Sequence, residues 1–125
     1  MSLRVLVVDD EPLIASSVRA FLEDEGMEVK SVGSAEQALS LLRQECAFQV
    51  VIVDMRLPGM DGNAAIRAFN ALCPGLRFII HTGSPGYTLP DDLRALGLDE
   101  GNLFRKPVLD MEPLATTVRD LIRYP

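Results

Sequence analysis

The chain has 125 residues, with 12 Lys and Arg against 18 Asp and Glu, and a formal net charge of −6. That length supports one hydrophobic core, hence one domain over 1–125, and the acidic balance disfavours contact with nucleic acid or an anionic membrane surface by this domain. With 48% hydrophobic and 24% charged residues it reads as globular, and no apolar run approaches the ~20 residues that span a bilayer.

Leu3–Val8 is a short apolar run ending in Asp9-Asp10, the pattern of a buried strand. Pro12–Glu25 then places Ile14, Val18, Phe21 and Leu22 on one helical face, with Pro12 suited to the first turn and Gly26 to the stop. Met27–Val32 is a partly polar strand, expected near a sheet edge. Ser34-Ala35-Glu36-Gln37 is a capping box for a helix through Glu45, with Ala35, Ala38, Leu39 and Leu42 inward. Gln49–Val53 is apolar almost throughout, as a central parallel strand is, and ends in Asp54.

Asp61 is placed to cap a helix over Gly62–Leu72, with Ala65, Phe69 and Leu72 inward. Leu76–His81 is the fourth strand, followed by Thr82-Gly83-Ser84. After a loop over Pro85–Pro90, a short helix is predicted over Asp91–Leu96, with Gly97 as its end. Asn102–Arg105 is a fifth strand leading into Lys106-Pro107. Asp110 caps the last helix, whose inward face is Met111, Leu114, Ala115, Val118, Leu121 and Ile122. Five strands alternating with five helices specify a doubly wound α/β fold, with a parallel sheet expected in the flavodoxin-like order 2-1-3-4-5. Cys46 and Cys73 lie 27 apart without a motif and are expected to be two buried thiols of a cytoplasmic chain. Met1-Ser2-Leu3 is compatible with a cloning remnant and Pro125 with a chosen boundary.

In open α/β sheets, ligands bind beyond the carboxyl ends of the strands. Asp9 and Asp10 end the first strand, Asp54 the third, Thr82 the fourth and Lys106 the fifth. Each alone has an ordinary explanation as a cap, a loop charge or a surface lysine. Together they bring three carboxylates, a hydroxyl and an amine to one edge. Two unit charges ~4 Å apart repel by about 4 kcal/mol at an effective dielectric of ~20, so the acids call for a cation. Mg²⁺ suits them, because it accepts a few carboxylates and keeps several waters. Three acids and one lysine leave two net negative charges, which Mg²⁺ neutralises. The metal and Lys106 would attract a phosphoryl group, one carboxylate could accept it, and Thr82 and Lys106 could bind its oxygens.

Four segments together resemble the receiver domain of bacterial two-component response regulators: VLVVDDEP at Val5–Pro12, VIVDMRLPGMDG at Val51–Gly62, Thr82-Gly83, and Lys106-Pro107. The resemblance covers essentially the whole chain. It implies Asp54 as phosphoacceptor, Asp10 as a direct Mg²⁺ ligand, Asp9 as a ligand through water, and the backbone carbonyl of Arg56 as a further ligand. Lys106 would pair with the phosphoryl group, Thr82 would swing toward it, and Gly83 would leave room for it. A cis Lys106-Pro107 bond is also implied. The donor would be a sensor histidine kinase or a phosphotransfer protein. The output would be a downstream protein, or an effector domain if the chain is cut from a longer regulator or hybrid kinase.

Two features depart from the pattern. Leu103 stands where receivers usually carry an aromatic three residues before the lysine. Phe104 beside it points to the other face by strand alternation and is assigned to the core. Tyr87 is assigned to an exposed loop, and His81 to packing beside the site, not to a metal. The segment from Thr82 to Lys106 is about two residues longer than usual, so the fourth helix is expected to be short. Two other functions fit less well. A phosphorylation-independent protein-interaction receiver is suggested by Leu103. A hydrolase of the haloacid dehalogenase type would need an acid where Arg56 stands, and a substrate cap for which the chain is too short.

Overall fold

In the computed structural model, residues 3–123 are described; the expectations for Met1-Ser2 and Pro125 lie outside them. The strands are β1 (Arg4–Val8), β2 (Glu28–Val32), β3 (Val50–Val53), β4 (Arg77–Thr82) and β5 (Leu103–Arg105). The helices are α1 (Pro12–Asp24), α2 (Ala35–Gln44), α3 (Gly62–Leu72), α4 (Asp91–Ala95) and α5 (Glu112–Arg123). All strand pairs are parallel, in the order β2-β1-β3-β4-β5. This is the expected doubly wound sheet, with the partly polar β2 at one edge.

Every residue of β3 is buried, as required of a strand with helices on both faces. Leu6, Val8, Val51 and Val53 face a core shared with α2 and α3. Val5, Val7, Val50 and Ile52 face the other core, shared with α1 and α5. Side-chain alternation thus divides one sheet between two helix layers.

The helix starts follow their capping residues. Asp61 Oδ1 accepts from the Ala64 N–H at 2.9 Å, and Ser34 Oγ accepts from the Gln37 N–H at 3.2 Å. The reciprocal half of the expected box is shifted, since Gln37 Oε1 accepts from Gly33 N–H. Asp110 Oδ1 accepts from the Glu112 N–H at the start of α5. α1 closes through Gly26, whose φ of +88° an L-residue rarely adopts.

Two side chains predicted inward are exposed: Leu72 is 37% accessible and Ile122 38%. Both lie in the last turn of a helix, where the apolar period runs on past the sheet it packs against. Ile66 is the buried residue of α3 that the sequence reading omitted. A third correction concerns the cysteines. Cys46 and Cys73 are joined in a disulfide, with Cα atoms 5.8 Å apart, and Cys46 is exposed. Their spacing along the chain carried no sign that the C-terminal ends of α2 and α3 meet.

Gly62 opens α3 against the end of β3. A Cβ there would lie 2.5 Å from the Asp54 carbonyl oxygen and 2.7 Å from the Met55 Cα. Both are backbone atoms that cannot yield cheaply. Gly62→Ala is expected to lower the unfolding free energy by about 1–3 kcal/mol, read as a shift of the urea midpoint at unchanged m-value.

Candidate functional site

The parallel register decides which side chains meet. Val8 pairs with Val53, and the Asp54 N–H donates to the Val8 carbonyl at 3.0 Å. Asp9 and Asp54 therefore leave adjacent strands side by side. On the other side of β3, Thr82 pairs with Arg105, and the Lys106 N–H donates to the Thr82 carbonyl at 2.8 Å. Lys106 thus enters the same edge from the far end of the sheet, just before a cis bond to Pro107.

The Lys106 Nζ is the centre of the arrangement. It lies 2.9 Å from Asp9 Oδ2, 3.1 Å from Glu11 Oε1 and 3.3 Å from Asp54 Oδ2. Asp9 and Asp54 are buried, whereas Asp10 and Glu11 are exposed. Asp9, Asp10, Glu11 and Asp54 each offer an oxygen, and these four atoms lie within 4.8 Å of one another. Four carboxylates against one ammonium make an oxygen-only, electron-rich cradle, the donor set that hard divalent cations select.

Glu11 is the residue that sequence reasoning missed. It follows directly on Asp9-Asp10, but it sits at the cap of α1, where an acid is an ordinary helix-start residue. Its backbone N–H donates to Asp9 Oδ1 at 2.9 Å, which turns the chain and carries its side chain over Lys106.

Burial pushes the Asp54 carboxyl above its usual range. The Arg56 N–H, 3.3 Å from Asp54 Oδ1, and the Lys106 charge oppose that rise without cancelling it, and Asp9 reinforces it. For Lys106, burial works against the ammonium, but hydrogen bonds to Asp9 and Glu11 outweigh it and move the pKa up. The amine is therefore firmly cationic, while Asp54 is a carboxylate held in a poorly solvated place.

Thr82 is fully buried, and its Oγ1 accepts from the Ser84 N–H at 3.1 Å. At Gly83 a Cβ would meet only the Lys106 side chain, at 3.9 Å, so open space lies around this position. The Arg56 side chain joins the loop after β4, its Nε donating to Ser84 Oγ at 2.8 Å. The loop after β4 is also gripped from β5, where Arg105 donates to the carbonyls of Ser84 at 3.0 Å and Tyr87 at 3.2 Å.

Tyr87 corrects its predicted exposure. It is half-buried, packs against the α2–α3 core and donates from its hydroxyl to Asn63 Oδ1 at 2.7 Å. A turn over Pro85-Gly86, closed by the Tyr87 N–H on the Ser84 carbonyl, precedes the contact with α3, which a loop composition alone did not reveal. Leu103 packs against this same core and Phe104 against the other, as strand alternation predicted. α4 has only five residues, also as expected.

His81 is buried beside the site, and its Nε2 has no hydrogen-bond partner among the described residues. Burial and the neighbouring Lys106 lower its pKa below the ordinary value of 6.5. The unfolded chain takes up this proton as the pH falls through 6.5, and the folded chain resists it. Stability from the neutral imidazole is therefore complete above that pH and lost below it. His81→Leu is expected to stabilise the protein by about 1 kcal/mol at pH 7, by removing an unsatisfied buried group. It should also flatten the decline below pH 6.5. Urea unfolding at pH 5 and 7 measures both.

Comparison with known proteins follows the same outline. The family model described as response regulator receiver domain matches residues 5–119. The transcriptional regulatory protein AruR of Pseudomonas aeruginosa is 48% identical over 64 residues, covering 47% of this chain and 26% of that protein. A protein-glutamate methylesterase/protein-glutamine glutaminase of Paramagnetospirillum magneticum is 33% identical over 122 residues, 96% of this chain and 30% of that protein. A CheY-like receiver domain protein from Methanospirillum hungatei superposes with a TM-score of 0.82 at 29% identity, covering 98% of this chain and 96% of that one. The chain spans a third or less of several curated relatives, AruR among them.

Proposed function

The chain belongs to the family of response regulator receiver domains, and we propose that it is a phosphorylation-controlled switch with Asp54 as the phosphoacceptor. The observation that carries this reading is the convergence of Asp9, Glu11 and Asp54 on one buried lysine amine. The Asp54 carboxylate attacks the phosphorus of a phosphohistidine or a small acyl phosphate, and the donor leaves with its own bonding electrons. Lys106 is positioned to pair with the transferred oxygens. The Arg56 N–H steadies the Asp54 oxygen that does not attack. Thr82 and Gly83 form the far wall, where a hydroxyl can donate to the new group and a missing Cβ leaves it room. Being poorly solvated, the Asp54 carboxylate has less water to shed before it attacks.

Mg²⁺ fits the four-oxygen cradle, with Asp9, Asp10, Glu11, Asp54 and the Arg56 carbonyl as candidate ligands. When bound it supplies charge neutralisation between the acceptor and the incoming phosphoryl oxygens. Adding Mg²⁺ is expected to raise the unfolding free energy by about 2.7 kcal/mol at a hundredfold excess over Kd. Asp10→Ala should abolish that increment, read by thermal melts with and without the ion. A melt that keeps its full response in Asp10→Ala places the ion elsewhere.

The donor is proposed to be a sensor histidine kinase or a phosphotransfer protein. Leu13 on α1 and Leu109 just before α5 are 85% and 94% exposed, on the two segments that flank Lys106. Both are candidate contacts for the donor. The output is a downstream protein or an attached effector. Among the described residues, no helix is long and apolar enough to cross a membrane, and a cytoplasmic location is proposed from the family's partners. The test is incubation with Mg²⁺ and a small acyl-phosphate donor, followed by intact mass and peptide mapping. A single adduct on Asp54 is expected; no adduct, or one elsewhere, rejects the reading.

A further inference from the structure

At the end of the sheet opposite the acidic edge, a cavity of about 440 Å³ opens beside both cysteines. Cys46 and Cys73 line it together with Phe48, Leu76, Arg77 and Leu121. The two halves of the disulfide are unequal. Cys46 is exposed, whereas Cys73 is 3% accessible.

The surroundings suit the thiols as well as the disulfide. Cys46 Sγ lies 3.7 Å from the Leu72 carbonyl and 3.8 Å from the Leu42 carbonyl. Cys73 Sγ lies 4.0 Å from the Leu42 carbonyl. A disulfide sulfur has no hydrogen to donate, but a thiol does, and these carbonyls are in the last turns of α2 and α3, where helix acceptors lack intrahelical partners. Opening the bond therefore strands no polar group.

We propose that Cys46–Cys73 is an exchangeable bond, and that the cavity beside it admits a small carboxylate-bearing thiol of the glutathione class. Arg77 offers the cation for its carboxylates, and Phe48, Leu76 and Leu121 cover its apolar parts. The incoming thiolate attacks Cys46 Sγ, a mixed disulfide forms there, and Cys73 leaves as the thiolate and takes a proton from water. Attack by a second thiolate on the mixed disulfide releases Cys46 as a thiol. The net change is two small thiols and the protein disulfide converted to one small disulfide and the protein dithiol. The bond spans 27 residues of separation that include Asp54 and α3, so its opening releases a constraint on the segment that carries Asp54.

The test begins with the native full chain in reduced glutathione, quenched by acid and mapped by mass. The mixed disulfide is expected on Cys46 and not on Cys73. In oxidised glutathione, Cys73→Ser should accumulate a stable adduct on Cys46. The Cys73 thiol left in Cys46→Ser should react at least about tenfold more slowly, as expected of a buried sulfur. Arg77→Gln should slow wild-type exchange with glutathione about threefold at low salt, and leave exchange with neutral 2-mercaptoethanol unchanged. Adducts shared equally by the two cysteines, or exchange seen only when the protein is unfolded, would overturn the proposal. So would loss of rate on Arg77→Gln that is the same for both reagents.

Discussion

Asp54→Asn is expected to abolish phosphoryl uptake completely while leaving the fold intact. The amide keeps the shape of the side chain and can still accept from the Arg56 N–H, 3.3 Å from the present Oδ1. What it lacks is a nucleophilic oxygen. Because burial already disfavours the charged form of Asp54, replacing it by a neutral amide relieves desolvation and repulsion from Asp9, and costs one of three Lys106 partners. The variant should therefore melt no lower than the parent. Intact mass after exposure to Mg²⁺ and an acyl phosphate reads the first effect, and a melt reads the second. An adduct that survives the substitution assigns the acceptor elsewhere. A collapsed melt would mean that the carboxylate holds the edge together, against the direction of its pKa shift.

The second large effect concerns the disulfide. Closing a loop with a sequence separation of 27 restricts the unfolded chain by about 3–4 kcal/mol in the chain-entropy account. Domains of this size are typically stable by only ~5–15 kcal/mol. Reduction, or paired substitution of Cys46 and Cys73 by serine, should thus lower the melting temperature by on the order of 10 °C. Thermal melts of oxidised, reduced and doubly substituted protein measure it. The last two should agree, and a reduced protein as stable as the oxidised one would show that the link adds nothing to the fold.

Much of this architecture was legible because apolar pattern and backbone geometry agree. A run such as Val50–Val53 can only be buried on both faces, and Ser34 and Asp61 mark helix starts by the hydrogen bonds their oxygens make. The acidic edge was legible for a related reason. β1 and β3 are apolar to their last residues, so the first polar residues beyond them, Asp9 and Asp54, must lie at the rim. What stayed hidden depends on meetings across the chain. Glu11 is one more acid after two others until the N–H bond to Asp9 aims it at Lys106. Tyr87 is a loop residue until Asn63 is opposite it. Leu72 and Ile122 keep the right helical phase but outrun the surface they were to cover. The cysteines needed the three-dimensional distance between two helix ends.

Arg105 fastens the loop after β4 to the strand that delivers Lys106, by hydrogen bonds to the Ser84 and Tyr87 carbonyls. The consequence is entropic. A free loop would have to freeze its backbone at about 1–2 kcal/mol per residue each time Thr82 engaged a new group. Here that ordering is already present in the resting protein. Under the proposed function, strand and loop move as one piece, and little of the energy of phosphorylation is consumed in making the loop rigid.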